Sequence, residues 1–173
     1  MTSQIVKLSE RLTFVYENLI PDKDVWDICC DHGYLGIAAY KNANFTHIYF
    51  VDRVPEIIER LKIQFHKSVF KIDSAVKATF ICTSAQEIKT NVTGTVCITG
   101  VGGSTVFKIL DGLSKNNLLN ADRLILGPHR DEMNLLEMIK DSERLNQYQL
   151  KSEIKVVERT TSRSLFILDK KNV

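Results

Sequence analysis

Two acids, two cysteines, a histidine, a glycine and a tyrosine fall within residues 27–34, in the stretch DICCDHGYLG. Side chains of these types allow three kinds of chemistry. Thiols with an imidazole can hold a metal, a pair of thiols can cycle between redox states, and carboxylates beside a glycine can grip a cationic or hydroxylated ligand. The spacing decides among them. None of the four cysteines (Cys29, Cys30, Cys82 and Cys97) forms a C-x-x-C pair, which argues against zinc, and no metal is expected. Cys29 and Cys30 are adjacent, so in a strand they face opposite sides of the sheet, and all four cysteines read as small buried strand residues.

The ligand-gripping chemistry is the one left. Asp27 and Asp31 are acceptors, and Gly33 lets the backbone approach a ligand closely. Two carboxylates would repel a pyrophosphate. Cys29 and Asp31 also stand where the dinucleotide fingerprint G-x-G-x-x-G has its first two glycines, which weighs against NAD or FAD. S-adenosylmethionine fits the loop better, because it carries a cationic amino-acid end and no phosphate. Asp52, in YFVDR ahead of Arg53, lies one βαβ unit further on, where an acid can accept both hydroxyls of a ribose. Its alternative is an acid at the start of the next helix, and ribose binding is favoured because the first loop and this acid occur together. Ser84 and Ala85 in TSAQE are candidates for an adenine edge. ITGVGGS around Gly100 is either a tight strand-to-helix turn or a bare wall where donor and acceptor can meet. No lysine follows its glycines, so it is not a Walker loop. His129 in LGPHRDE could hold a base or shuttle a proton, or could be polar surface.

These loops must be positioned by alternating strands and helices. Leu8, Leu12, Val15 and Leu19 have helical spacing in a segment that Pro21 ends. VWDICC and HIYFVD read as buried strands, and ATFICT, TVCITGV and RLILGP as three further strands. YLGIAAYKNA, PEIIERLKIQFHKSVF, GGSTVFKILDGL and DEMNLLEMIKDSERL read as helices between and after them, with Pro55 suited to a first helical turn. Such alternation predicts a parallel sheet covered on both faces. YQLKSEIKVVER and RSLFILDK are then separated only by TTS, which leaves no room for a crossover and predicts an antiparallel hairpin. Each candidate residue thereby falls beyond the carboxyl end of a strand, where open α/β sheets bind ligands.

The chain has 173 residues, 44% of them hydrophobic and 25% charged, which bounds it to one ordinary globular domain. A net charge of +2 neither requires nor excludes a nucleic-acid partner. Arg60, Lys62, Lys67 and Lys71 read as a solvated helix face in preference to an RNA patch. MTSQIVKLSERL lacks the apolar core of a signal peptide, and no run reaches the roughly 18–20 apolar residues that cross a bilayer. A cytoplasmic protein with free thiols, away from membranes, is the expectation.

LSERL, DICCDHGYL, ITGVGGS and LILGPHRDE, in this order and spread over almost the whole chain, resemble the bacterial tRNA (adenine-22-N1)-methyltransferase family. Its most specific element is the Asp-His pair followed one residue later by Tyr-Leu. The resemblance implies an α/β, Rossmann-like class I methyltransferase with a seven-stranded, mostly parallel sheet and an antiparallel C-terminal hairpin. It implies S-adenosyl-L-methionine as cofactor, with contacts drawn from Arg11, Asp27, Cys29, Asp31, Gly33, Asp52, Arg53, Ser84, Ala85 and Gly100. It places Asp31, His32 and Tyr34 at the reaction centre, with Arg11 close by and His129 at the fifth-strand turn. The family usually has Gly and Ser where this chain has Cys29 and Cys30, and Asn in place of His129. Its members usually continue into a helical, coiled-coil-like domain, so residues 1–173 are expected to be the methyltransferase domain alone.

The reading that follows is an S-adenosylmethionine-dependent methyltransferase acting on RNA, with N1 of a tRNA adenine as the leading target. A module that binds cofactor or RNA without turnover, and a methyltransferase for a small molecule or protein, are the alternatives. A nicotinamide dehydrogenase ranks last. The oligomeric state is not legible.

Overall fold

The computed structural model describes residues 7–158 and 160–171. Helix α1 (Glu10–Glu17) opens the chain, with the Ser9 side chain accepting from Leu12 N at 3.3 Å as its N-cap. Then follow β1 (Val25–Ile28), α2 (Tyr34–Asn42), β2 (His47–Asp52), α3 (Pro55–Val69), β3 (Lys77–Cys82), a 3-10 turn at Ala85–Glu87, β4 (Thr95–Thr99), α4 (Gly103–Lys115), β5 (Arg123–Gly127), α5 (Glu132–Asp141), β6 (Tyr148–Glu158) and β7 (Thr161–Lys170).

The strands form one seven-stranded sheet in the order β3-β2-β1-β4-β5-β7-β6. The first five strands are mutually parallel, and β7 runs antiparallel to both β5 and β6. The expected architecture and the terminal hairpin are therefore present. Strand β1 sits between β2 and β4 and is buried along its whole length, as a run flanked on both edges and covered on both faces must be. The core splits across the sheet. Val15, Ile37, Leu61 and Phe65 place α1, α2 and α3 on one face, while Val106, Leu110, Leu113 and Leu135 place α4 and α5 on the other. In α4 the buried Val106, Ile109, Leu110 and Leu113 recur at i, i+3, i+4 and i+7, the stripe expected of a helix with one wet face.

A half-buried bidentate pair locks the reversed strand. Arg123 on β5 donates through Nε to Asp169 Oδ1 at 2.6 Å and through Nη2 to Asp169 Oδ2 at 2.9 Å, and its Nη1 reaches the Asn18 carbonyl at 3.0 Å. The arginine hydrogen bonds hold the Asp169 carboxyl below its ordinary range.

Two local expectations are corrected. β1 ends at Ile28, so Cys29 and Cys30 are loop residues and not strand residues. The last strand begins at Thr161, inside the TTS expected as the turn, because the ladder continues to the Glu158–Thr161 pair. Arg159, expected at the end of the preceding strand, lies outside the described residues.

Candidate functional site

The first loop takes its shape from three left-handed residues at alternate positions: Cys29 at φ 59°, Asp31 at φ 44° and Gly33 at φ 63°. Only glycine adopts this conformation freely; a side chain there costs about 1–2 kcal/mol. The backbone thus follows a glycine-type path although two of the three residues carry side chains. Gly33 is held to glycine for a second reason. A Cβ there would stand 2.4 Å from Leu61 Cδ1, so the space beside it belongs to the packing of α3 and not to a ligand.

Asp27 lies in β1 with its side chain turned toward α2, and it is 6% exposed. Its Oδ2 accepts from Gly36 N at 3.1 Å. This bond caps a helix whose own N-cap, Gly33, has no side chain to offer. Burial, opposed by the Gly36 bond and reinforced by the charge of Asp52, pushes the carboxyl up from 3.8 to about 7. Burial, with carboxylate charges nearby, raises the Cys29 thiol to about 11 and the Cys30 and Cys97 thiols far above their ordinary range. Protonated thiols are poor metal ligands and poor nucleophiles. Among the described residues no group of three His, Cys, Asp or Glu side chains could hold a metal ion. Cys82, expected to be buried, is exposed at the end of β3.

Asp52 closes β2. Its Oδ1 accepts from Val54 N at 3.1 Å and its Oδ2 from Asp31 N at 3.4 Å. The N-cap of α3 is Val54, so Asp52 caps a turn and not the helix, and the remaining lone pairs of its anchored carboxylate can take ligand hydroxyls. Beside it opens a cavity of ≈ 450 Å³, within the usual range of small-molecule sites. Cys29, Asp52 and Arg53 line it from the first two loops, Ser84, Ala85 and Gln86 from the turn after β3, and Val101, Thr105 and Ile109 from the α4 side. Five of the residues singled out from sequence meet here. Gln86, Thr105 and Ile109 were not singled out. Gln86 adjoins the TSA candidates, and the other two are one helical turn apart on α4.

A polar cluster adjoins this cavity through Asp31. Asp31 Oδ2 lies 2.7 Å from His32 Nδ1, and its Oδ1 accepts from Arg60 Nη2 at 3.3 Å. A carboxylate only accepts, so Nδ1 of His32 is the donor to Asp31, which leaves Nε2 as the acceptor nitrogen of the neutral ring. The His32 ring stacks on Tyr34, with centroids 5.3 Å apart at 19°, and Tyr34 is 40% exposed at the first turn of α2. Arg60, read from sequence as part of a solvated face, is the addition here.

Gly100, at φ 83°, follows β4 directly, and the nearest atoms to a Cβ built on it are those of the His129 ring at 4.0 Å. This leaves an open wall facing the histidine. The His129 backbone is tied at both ends: its N–H donates to the Val101 carbonyl at 2.8 Å, and its carbonyl accepts from Arg163 on β7. Arg11 is half-buried in the first turn of α1, which packs against α2 and β6. Asp27, Asp31, Gly33 and Gly100 border the carboxyl edge but do not line the cavity.

Fold and site together define a Rossmann-like α/β domain with a small-molecule cavity and a polar cluster at the carboxyl edge of its sheet. A family model described as a methyltransferase domain matches residues 8–163, and the chain belongs to that family. Similar solved structures include the B. subtilis m1A22 tRNA methyltransferase TrmK, at 24% identity and TM-score 0.78 over 96% of this chain and 68% of that one. M. capricolum TrmK in complex with S-adenosyl-homocysteine matches at 22% identity and TM-score 0.74 over 94% and 69%. The Synechocystis magnesium protoporphyrin IX methyltransferase with bound SAM matches at 14% identity and TM-score 0.65 over 93% and 75%. At these identities the likeness is one of fold. No curated protein matches the sequence significantly.

Proposed function

We propose that the chain is an S-adenosylmethionine-dependent methyltransferase that acts on N1 of an adenine in tRNA. The observation that carries this reading is the Asp52 carboxylate, fixed by two backbone N–H groups at the rim of a cavity of ≈ 450 Å³, inside a methyltransferase-family fold. The residues present fit the cofactor: an anchored acceptor for ribose hydroxyls, Ser84 to Gln86 for an adenine edge, and an open wall at Gly100. When bound, the cofactor supplies a methyl group on a sulfonium leaving group. The tRNA and the adenine position come from the TrmK likenesses and from the sequence resemblance.

The chain's own residues then have to align the base and manage its proton. Tyr34, exposed and stacked on His32, offers a face on which a base can lie. Methylation leaves adenine cationic, and a proton must eventually leave its exocyclic nitrogen. His32 Nε2 is the acceptor for it, since Asp31 fixes the opposite nitrogen as donor and stabilises the imidazolium that forms. His129 faces the Gly100 wall and is assigned to holding the base edge.

Calorimetry tests the cofactor half. Wild-type protein is expected to bind S-adenosylmethionine, and Asp52→Ala to lose about a hundredfold in affinity, for two charge-assisted hydrogen bonds. Equal affinities for both proteins would refute the ribose assignment.

A further inference from the structure

Helix α3 has a face that neither the core nor the cofactor cavity uses. Its buried side is Ile58, Leu61 and Phe65. Arg60, Ile63, Lys67 and Phe70 follow one another at steps of three, four and three, which puts them on a single opposite face; Lys71 follows just past the helix end, and all five are exposed. Phe70, which caps the helix, is 84% exposed, and Ile63 is 58% exposed. From residue 60 to residue 71 the sequence contains four cations and no acid. Glu59 ends the acidic first turns and pairs with Lys62 at 2.7 Å, so Lys62 turns away from the others. The stripe begins at the polar cluster, because Arg60 contacts Asp31. It then runs about 15 Å down the helix, away from the carboxyl edge.

We propose that this face, from Arg60 to Lys71, is where RNA lies as it leaves the reaction centre, with Lys67 and Lys71 meeting phosphates and Phe70 stacking on an unpaired base. The inference rests on the RNA reading above and adds the surface that carries it. The sequence alone favoured a solvated face for these cations. The structure adds an aromatic ring left in water between two lysines and a continuous path to Asp31. Cations interleaved with an exposed aromatic are what single-stranded nucleic acid takes, phosphates on the first and a base on the second. A second copy of the same face would set lysine against lysine, and a basic partner is excluded by the same repulsion.

The test measures binding of labelled unfractionated tRNA against salt concentration for the wild type, for Lys67→Ala with Lys71→Ala, and for Phe70→Ala. Each lysine removed should lower the slope of log affinity against log salt by about 0.7–0.9, so the double variant loses about 1.5. Phe70→Ala should weaken binding by about tenfold with the slope unchanged. Calorimetric affinity for S-adenosylmethionine and the melting temperature should stay at wild-type values, since all three side chains are exposed. Wild-type affinity and slope in both variants would overturn the proposal, even if the wild type methylates tRNA. So would a wild-type dimer in sedimentation that Phe70→Ala dissolves. Weakened binding in the variants of a protein that transfers no methyl group would uphold the surface and refute the methylation reading.

Discussion

Replacing Asp27 by Asn separates what the fold wants from what the site wants. The carboxyl is 6% exposed and titrates at about 7 in the folded chain against 3.8 ordinarily. A folded-state pKa above the unfolded one means that the native protein binds more protons between those values, so stability falls as pH rises from about 4 to 7 and then levels off. A shift of about three units corresponds to about 4 kcal/mol lost across that window. An asparagine keeps an oxygen for the Gly36 N–H and cannot ionise. Asp27→Asn should therefore unfold like the wild type near pH 4 and be about 4 kcal/mol more stable at pH 8, which is about 8–16 °C in Tm for a domain of this size. The assay is thermal and denaturant unfolding of both proteins at pH 4, 6 and 8. A variant that is less stable at pH 8, or a difference that does not change with pH, would refute the burial argument. The same variant should bind S-adenosylmethionine more weakly at pH 8, where wild-type Asp27 is ionised and can attract the cationic end of the cofactor.

The other predictions concern separate parts of the molecule. His32→Ala should lower the methyl-transfer rate by about 10²–10³-fold with calorimetric cofactor affinity unchanged, as loss of a proton acceptor does; an equal loss in both would make His32 a binding residue. Iodoacetamide at pH 7.5 should label Cys82 first and Cys29 slowly, with added S-adenosylmethionine slowing Cys29 further, because that thiol is held up to about 11 and lines the cavity. Peptide mass spectrometry reads the order. Asp169→Asn should cost about 1–3 kcal/mol at neutral pH by weakening the charged Arg123 pair. Because that pair lowers the carboxyl's pKa, its contribution is present above the ordinary carboxylate range and fades as pH falls below it, so urea unfolding in acid should no longer separate variant from wild type.

Much of the fold was legible because the local signals agreed. Pro55 opens α3 as its position implied, and the strands HIYFVD and YQLKSEIKVVER occupy β2 and β6 almost to the residue. A short link between the last two strands left antiparallel pairing as the single option. What the sequence could not supply was backbone conformation and tertiary reach. Cys29 and Cys30 continue an apolar run and so read as strand, yet the chain turns left-handed at Cys29. Burial marks Asp27 as a surrogate helix cap only once α2 is docked above it. Arg60 is 29 residues from Asp31, and no periodicity predicts that pair. Cys29, Asp52, Arg53, Ser84 and Ala85 could be gathered in advance because each follows a strand, whereas Thr105 and Ile109 sit inside a helix and look like its ordinary flank.

Transfer of a tritiated methyl group from S-adenosylmethionine to unfractionated tRNA, followed by mass spectrometry of the nucleosides, tests the central claim most directly. The account predicts label in 1-methyladenosine, abolished in a protein carrying both Asp52→Ala and His32→Ala. Label in a different nucleoside would contradict the adenine assignment, and saturable cofactor binding with no label in RNA would contradict the claim that the chain methylates tRNA.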